Sequence, residues 1–316
     1  MPKTLRPTTA ATAGGRAGAL AAVLALAGCA ADLEATTASA DDDRPLVLTT
    51  FTVLADMAHN VAGDDLRVES ITKVGAEIHG YEPTPLDIAK ASEADLILDN
   101  GLGLEAWFAQ FVESVEAPHV VVSEGVEPIA IAGDAYDGLP NPHAWMSPHV
   151  AQGYVGAMID AFTELDPDNA ADYARRGADY QEELRAVADE LEVDLEVVPE
   201  DQRVLVTCEG AFSYLARDAG LEEIYLWPVN AEQQATPQQI AGAIEEVEAR
   251  AVPAVFCEST VSDKAMLQVA EATGATLAGT LYVDSLSEAD GAVPTYLDLL
   301  RYDAETIVAG LTGGAS

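Results

Sequence analysis

Beyond residue 44 the chain alternates short apolar runs with longer segments in which apolar positions recur at helical spacing. Short apolar, β-branched runs between turn-formers read as buried strands, and the 3.6-period segments between them read as crossover helices. The pattern predicts strands over 46–50, 66–72, 96–98 and 120–122, with helices over 53–61, 85–93 and 104–115. It then repeats, with strands over 204–207, 223–226, 254–256 and 276–278, helices over 211–219, 237–249 and 263–272, and a closing helix over 294–310. Such alternation builds parallel sheets covered by helices, so the expected fold class is α/β, with two lobes of βαβ type.

Between the lobes, Tyr173, Tyr180, Leu184, Val187 and Leu191 lie on one stripe of a helix expected over 167–197. At 1.5 Å per residue, ~28 helical residues span roughly 40 Å, the height of two stacked small domains. One long helix joining two lobes limits their relative movement, because bending it breaks backbone hydrogen bonds. A coiled coil would need the stripe to continue over more heptads than it does.

The first residues follow another logic. Lys3, Arg6 and Arg16 frame the start of an apolar run over 17–31 that is too short and too alanine-rich for a good membrane span. It reads as an export signal. Leu26-Ala27-Gly28-Cys29 resembles the bacterial lipobox, which implies cleavage before Cys29 and a thioether from its sulfur to diacylglycerol. The expected organisation is a signal peptide over 1–28, a flexible tether over 29–44, an N-terminal lobe over 45–165, a linking helix over 166–198 and a C-terminal lobe over 199–316.

Charge changes the picture of partners. With 54 acidic against 15 basic residues the formal net charge is -39, so a phosphate backbone would be repelled and nucleic-acid binding is excluded as a role. A small cation is not excluded. Hydrophobic residues at 49% are enough for the cores of two ordinary domains, which excludes disorder as the main state.

Two histidines sit in segments dense with proline and glycine, which limit loop entropy and hold an imidazole in place. His79 lies in Gly75-Ala76-Glu77-Ile78-His79-Gly80-Tyr81-Glu82-Pro83-Thr84-Pro85, after a predicted strand. His143 lies in Leu139-Pro140-Asn141-Pro142-His143-Ala144-Trp145, before a helix starting near Ser147-Pro148. Glu209 and Asp284 follow strands of the second lobe, where open α/β sheets bind ligands. Singly, each has an ordinary reading as a surface histidine, a helix cap or a solvated turn.

Together these segments resemble the metal-receptor solute-binding lipoproteins of bacterial ABC transporters, over nearly the whole chain after Cys29. The strings that carry the resemblance are Asn100-Gly101-Leu102-Gly103-Leu104-Glu105, Asn141-Pro142-His143-Ala144-Trp145, Cys208-Glu209-Gly210-Ala211-Phe212-Ser213-Tyr214 and Tyr282-Val283-Asp284-Ser285-Leu286-Ser287. The resemblance implies that His79, His143, Glu209 and Asp284 are metal ligands, two from each lobe across the cleft. Glu77 and Ile78 stand where the family often has Asp and Pro. It also implies a permease partner, a lipid-anchored location on the extracytoplasmic face of the cell membrane, and a monomer.

Two imidazoles and two carboxylates suit Mn(II) first, with Fe(II) or Zn(II) as alternatives, because zinc favours three histidines or cysteines in a tetrahedron. The stretch over 128–142 lacks the histidine-rich loop of zinc-delivering relatives. His59, His119 and His149 are expected on a helix face, a strand edge and a helix start rather than as ligands. Cys208 and Cys257 each precede a glutamate at a strand end, and an exported chain can pair them; buried free thiols and thiolate ligation remain alternatives. A metallohydrolase would share the donor set, but no His-Glu-x-x-His pattern accompanies it. A surface adhesin would leave no local signature.

Overall fold

The computed structural model describes residues 42–107, 115, 117–132, 136–229 and 235–313. The expected export signal, Cys29 and all but the last residues of the expected tether lie outside the described residues.

The N-terminal lobe holds β1 (Leu46–Thr49), β2 (Arg67–Ser70), β3 (Leu96–Asp99) and β4 (His119–Val121), parallel throughout in the order β2-β1-β3-β4. Their β-branched and leucine-rich sequences suit a sheet covered on both faces, and β1 and β3 are buried along their whole length. Between them lie α1 (Thr52–Ala62) and α2 (Pro85–Glu93). The start of α2 is set by Thr84, whose hydroxyl accepts from Asp87 N while the Asp87 carboxylate accepts from Thr84 N, with Pro85 at the first helical position.

The helix expected from 104 does not begin there. Gly101, Leu102 and Gly103 all have positive φ, at 79°, 55° and 83°, and the chain continues as turn through Trp107. Left-handed residues cannot seed a right-handed helix, so the apolar period at this point reflects a packed turn instead. Residues 108–114 lie outside the described residues.

Two antiparallel helices then cross the molecule: α3 (Pro148–Leu165), capped by Ser147, and α4 (Ala170–Leu195), which follows a 3-10 turn over Pro167–Asn169. The stripe on α4 is buried at all five predicted positions, each contributing roughly 1.5–3 kcal/mol of burial as an upper bound. Gly177 fills the gap between Tyr173 and Tyr180, because a Cβ there would meet Ile159 Cδ1 of α3 at 2.3 Å.

The C-terminal lobe contains β5 (Val204–Glu209), α5 (Ser213–Ala219), β6 (Glu222–Trp227), α6 (Pro237–Arg250), β7 (Ala254–Glu258), α7 (Lys264–Thr273), β8 (Thr276–Leu281) and α8 (Tyr296–Leu311). Here the plan is looser than a single sheet: β5 pairs in parallel with β6, β7 pairs in parallel with β8, and β5 lies beside β7. A disulfide joins Cys208 on β5 to Cys257 on β7, with Cα atoms 4.9 Å apart.

One buried apolar cluster runs through both lobes, from Val47 and Leu98 through Tyr154 and Leu184 to Phe256 and Ile307. Hydrogen bonds also cross the junction: Trp145 Nε1 donates to Val283 O at 3.1 Å, Leu286 N to Thr52 Oγ1 at 3.1 Å, and Tyr296 N to Asp56 Oδ2 at 3.0 Å. Among the described residues no helix is long and apolar enough to cross a membrane.

Candidate metal centre

His79, His143, Glu209 and Asp284 come together where the two lobes meet. Glu209 is the last residue of β5, Asp284 follows β8, His143 immediately precedes a 3-10 turn over Ala144–Met146, and His79 lies in the loop between β2 and α2. The two Nε2 atoms are 3.0 Å apart. Glu209 Oε1 is 3.4 Å from His79 Nε2 and 3.8 Å from His143 Nε2, and Asp284 Oδ1 is 4.0 Å from His79 Nε2. Donors bonded at about 2.1 Å to one ion lie about 3.0 Å apart at right angles and at most about 4.2 Å apart when opposed, so these four separations fit donors of one ion. His79, His143 and Asp284 form a mutually close set, and Glu209 approaches it from the side of the two histidines.

The surroundings prepare these atoms for a cation. His143 Nδ1 lies 3.0 Å from Asn141 Oδ1, an acceptor, so Nδ1 carries the proton and Nε2 presents its lone pair to the centre. Asn141 is itself held by donating Nδ2 to Gly210 O at 2.6 Å, across the lobe junction. Asp284 Oδ2 accepts from Thr260 Oγ1 at 3.0 Å, while its buried Oδ1 has no hydrogen-bond donor among the described residues. A buried carboxylate oxygen without a donor is costly unless a cation faces it.

Burial dominates the protonation of the site. It lowers His79 to about 4 and His143 well below the usual imidazole range, the second helped by the neighbouring His79, so both rings are neutral at physiological pH. Burial, with the Glu77 charge adding to it, raises Asp284 to about 7, against the opposing hydrogen bond from Thr260. A divalent ion held here would meet two neutral imidazoles, and the proton it displaced would come from the Asp284 carboxyl rather than from nitrogen.

The loop that carries His79 is braced by Glu77, whose carboxylate accepts from His79 N at 2.6 Å and Gly80 N at 2.9 Å. Trp107 Nε1 also donates to Ile78 O at 3.0 Å, and Ile78 is buried. The Asn100–Glu105 segment acts behind His143: Asn100 Nδ2 donates to Pro142 O at 3.0 Å, and Glu105 accepts from Asn100 N at 2.7 Å and from Gly101 N at 3.1 Å.

Glu258 stands behind Glu209, accepting from its backbone N at 3.2 Å, and burial raises it to about 8. It lies beside Cys208 and Cys257, whose sulfurs are bonded to each other and so offer no thiolate to an ion. His59, His119 and His149 lie away from the centre; all three are exposed, with His119 Nδ1 3.7 Å from Asp99 and His149 Nε2 3.3 Å from Glu192.

The supporting residues were less visible in the sequence than the four donors. Asn141 carried a usable signal, since an Asx residue two positions before His143 can accept from its backbone N, as it does here at 3.0 Å. Glu258 stands out only as the glutamate after Cys257 at a strand end, and Thr260 carries no signal, because their partners lie far along the chain.

The sequence matches the family profile "ZnuA: Zinc-uptake complex component A periplasmic" over residues 47–310. It is 51% identical to the iron-binding protein YfeA of Yersinia pestis over 265 residues, 84% of this chain and 85% of that one. It is 33% identical to the manganese ABC transporter substrate-binding lipoprotein scaA of Streptococcus gordonii, over 92% of this chain and 96% of that one. Among solved structures, a Mn-bound periplasmic metal-binding protein of Candidatus Liberibacter asiaticus superposes with TM-score 0.81 at 38% identity, covering 85% of this chain and all of that one. The periplasmic zinc-binding protein TroA of Treponema pallidum gives TM-score 0.78 at 27% identity, covering 85% of this chain and 99% of that one. The chain therefore belongs to the ZnuA family of metal ABC transporter substrate-binding proteins, which are receptors for their metal and not enzymes.

Proposed function

We propose that this chain captures Mn(II) with His79, His143, Glu209 and Asp284 and delivers it as a monomer to the permease of an ABC transporter, with Fe(II) as the second cargo. The observation that carries this reading is the meeting of two imidazoles and two carboxylates at one buried place, where His79 Nε2 lies 3.0 Å from His143 Nε2, 3.4 Å from Glu209 Oε1 and 4.0 Å from Asp284 Oδ1. Carboxylates are hard donors that can bind through both oxygens, so the set supports a coordination number above four, which Mn(II) and Fe(II) accept and a tetrahedral zinc site does not use. The relatives named above carry iron, manganese and zinc in their names, so the choice among metals rests on donor chemistry.

Raw affinity is not the discriminator, since a nitrogen and oxygen site generally holds Zn(II) more tightly than Mn(II). The test is elemental analysis of protein purified without added metal, followed by competitive titration with Mn(II), Fe(II) and Zn(II) at one pH. One Mn or Fe per chain supports the reading; zinc alone, recovered from manganese-replete and iron-replete cells, would replace it with zinc delivery.

Membrane attachment follows from the reading of Cys29, whose lipid would hold the receptor beside its permease without a spanning helix. Two or more acyl chains are needed for firm anchoring. Cys29→Ser should move the protein to the soluble fraction and abolish lipid labelling; retained label would remove the anchor from the proposal.

A further inference from the structure

Behind His143 the hydrogen bonds form a line whose proton directions are fixed. Phe212 N donates to Glu223 Oε1 at 2.8 Å, and Asn141 Nδ2 donates to Gly210 O at 2.6 Å and to Ser213 Oγ at 3.1 Å. A backbone N–H and an amide NH2 can only donate. The Ser213 hydroxyl therefore receives a hydrogen from Asn141, and its own goes to Glu223 Oε2. With both Nδ2 hydrogens directed to the C-terminal lobe, Asn141 keeps Oδ1 for His143, where it meets the backbone N and the ring Nδ1 at 3.0 Å each.

This line crosses the lobe junction. His143 and Asn141 come from the loop before α3, Ser213 opens α5, and Glu223 lies on β6. Its far end is held closely: Gly210 N donates to Trp227 O at 3.0 Å, and a Cβ at Gly210 would meet Pro228 O at 2.7 Å. The segment that presents Gly210 O and Ser213 Oγ to Asn141 is thus pressed against the strand that carries Glu223.

A carboxylate suits the position of Glu223 better than its neutral isostere. Both of its oxygens accept, one from Phe212 N and one from Ser213. Glutamine would turn an NH2 group toward one of these donors, and whichever way it faced, one hydrogen would lose its acceptor. Keeping an acid here carries a cost, since burial raises Glu223 to about 7 against the two hydrogen bonds that lower it.

We propose that Glu223 is a positioning residue of the metal site: acting through Ser213 and Asn141, it holds the His143 ring from the opposite lobe. The proposal rests on His143 being a metal ligand, as argued above. The Glu223 charge draws the Ser213 proton, which makes Ser213 Oγ a better acceptor for Asn141 Nδ2, and the polarised amide grips the His143 Nδ1 proton more firmly through Oδ1. The result is a ring held with its Nε2 lone pair toward the centre.

The experiment compares Glu223→Gln, Ser213→Ala, the double variant and Ser213→Thr in the full chain, at one pH well above the value of about 7 that Glu223 reaches. Affinity for Mn(II) is measured by chelator competition. The His143 Nδ1 proton is followed by NMR in metal-free protein carrying isotope-labelled histidine, its signal assigned by its absence from His143→Gln. A partner bonded directly to a metal-bound histidine is typically worth about 10–100-fold in affinity, so one bond further out Glu223→Gln and Ser213→Ala should each lose about fivefold to tenfold. The double variant should lose no more than the larger single loss, because both residues act through one line. Ser213→Thr keeps the hydroxyl and should stay within about twofold of wild type. The proton signal should move upfield, toward weaker bonding, in the Gln and Ala variants and stay in place in the Thr variant. An affinity of Glu223→Gln within about twofold of wild type, an unmoved proton signal, or losses that multiply in the double variant would each overturn the role of Glu223, and so would a lowered Tm as the only change. Should Glu223→Gln fail to fold, Glu223→Asp, which withdraws the carboxylate from Ser213, takes its place with the same expected losses. A wild type that binds no Mn(II) would overturn the metal site instead, while the proton signal in metal-free protein would still decide the positioning.

Discussion

Replacing Asn141 by Ala removes the acceptor that keeps the proton on His143 Nδ1, so the ring is free to present N–H to the ion instead of a lone pair. Loss of such a partner typically lowers metal affinity 10–100-fold, and that is the expected fall for Asn141→Ala, measured by competition with a chelator of known affinity. An unchanged affinity would mean that His143 is oriented by its packing alone. The buried acids give a second expectation for the metal-free protein. Burial raises Glu105 and Glu223 to about 7 and Glu258 to about 8, against about 4.3 for an unfolded glutamate. The folded chain therefore holds protons that the unfolded chain has lost, and this contribution to stability disappears as pH rises through 4.5 to 8. His79 and His143 act oppositely: their depressed values contribute stability that is lost as pH falls below about 6.5. Above that point only the carboxylates remain, so metal-free protein should lose on the order of 2 kcal/mol between pH 6.5 and 8. Denaturant titrations across that range would contradict it by showing constant or rising stability. The sequence displayed each of these residues but could not show their burial: Glu105 ends one of the strings that carry the resemblance and Glu223 begins a predicted strand, and neither position reveals the enclosure that raises its pKa.

Gly177 illustrates the same gap between pattern and contact at the level of the helix. Helix propensity alone predicts that Gly177→Ala stabilises α4 by about 1 kcal/mol. The close approach of α3 reverses the sign, because the added methyl would lie 2.3 Å from Ile159 Cδ1 and 2.6 Å from its Cγ1. Overpacking of this kind costs about 1–3 kcal/mol, so the net expectation is a loss of about 1 kcal/mol, read as a lower denaturant midpoint at constant m-value. A gain would show that Ile159 repacks without cost. The stripe on α4 was legible because its apolar positions follow the helical period, and α2 was legible because Thr84, Pro85 and Asp87 spell out a helix start. Only the start of the helix expected over 104–115 is corrected, for the converse reason: Leu104 and Trp107 have helical spacing, but the chain from Gly101 to Gly103 is left-handed and continues as turn through Trp107. Of α3 only the start was read, at Ser147-Pro148, although Ala151, Tyr154, Val155, Met158 and Phe162 form a buried helical face. The division of the second lobe's strands into two pairs was beyond reach, since apolar runs do not reveal which strands hydrogen-bond to which.

At the scale of the whole molecule the net charge of -39 acts on folding and on cargo with opposite signs. Acidic side chains crowded on one surface repel one another, and the exposed ion pairs, such as Arg175 with Asp172 and Arg250 with Glu246, offset little of that repulsion. Raising the ionic strength from about 0.1 M to about 1 M shortens the screening length from about 10 Å to about 3 Å, which weakens repulsion between distant carboxylates more than it weakens contacts already closed. Thermal stability of the metal-free chain should therefore rise with NaCl over that range; a falling Tm would show that the ion pairs outweigh the repulsion. The same field draws a divalent cation toward the protein, so screening should slow association of Mn(II). It should leave dissociation nearly unchanged, because an ion held as proposed, by His143, Glu209 and Asp284 with their buried side chains, would sit well inside the screening length of its donors. Added salt is thus expected to stabilise the fold while weakening Mn(II) binding through association alone. Stopped-flow association and chelator-driven release at low and high NaCl separate the two rates, and a salt effect carried by dissociation would mean that the ion is held nearer the solvent than the four buried side chains allow.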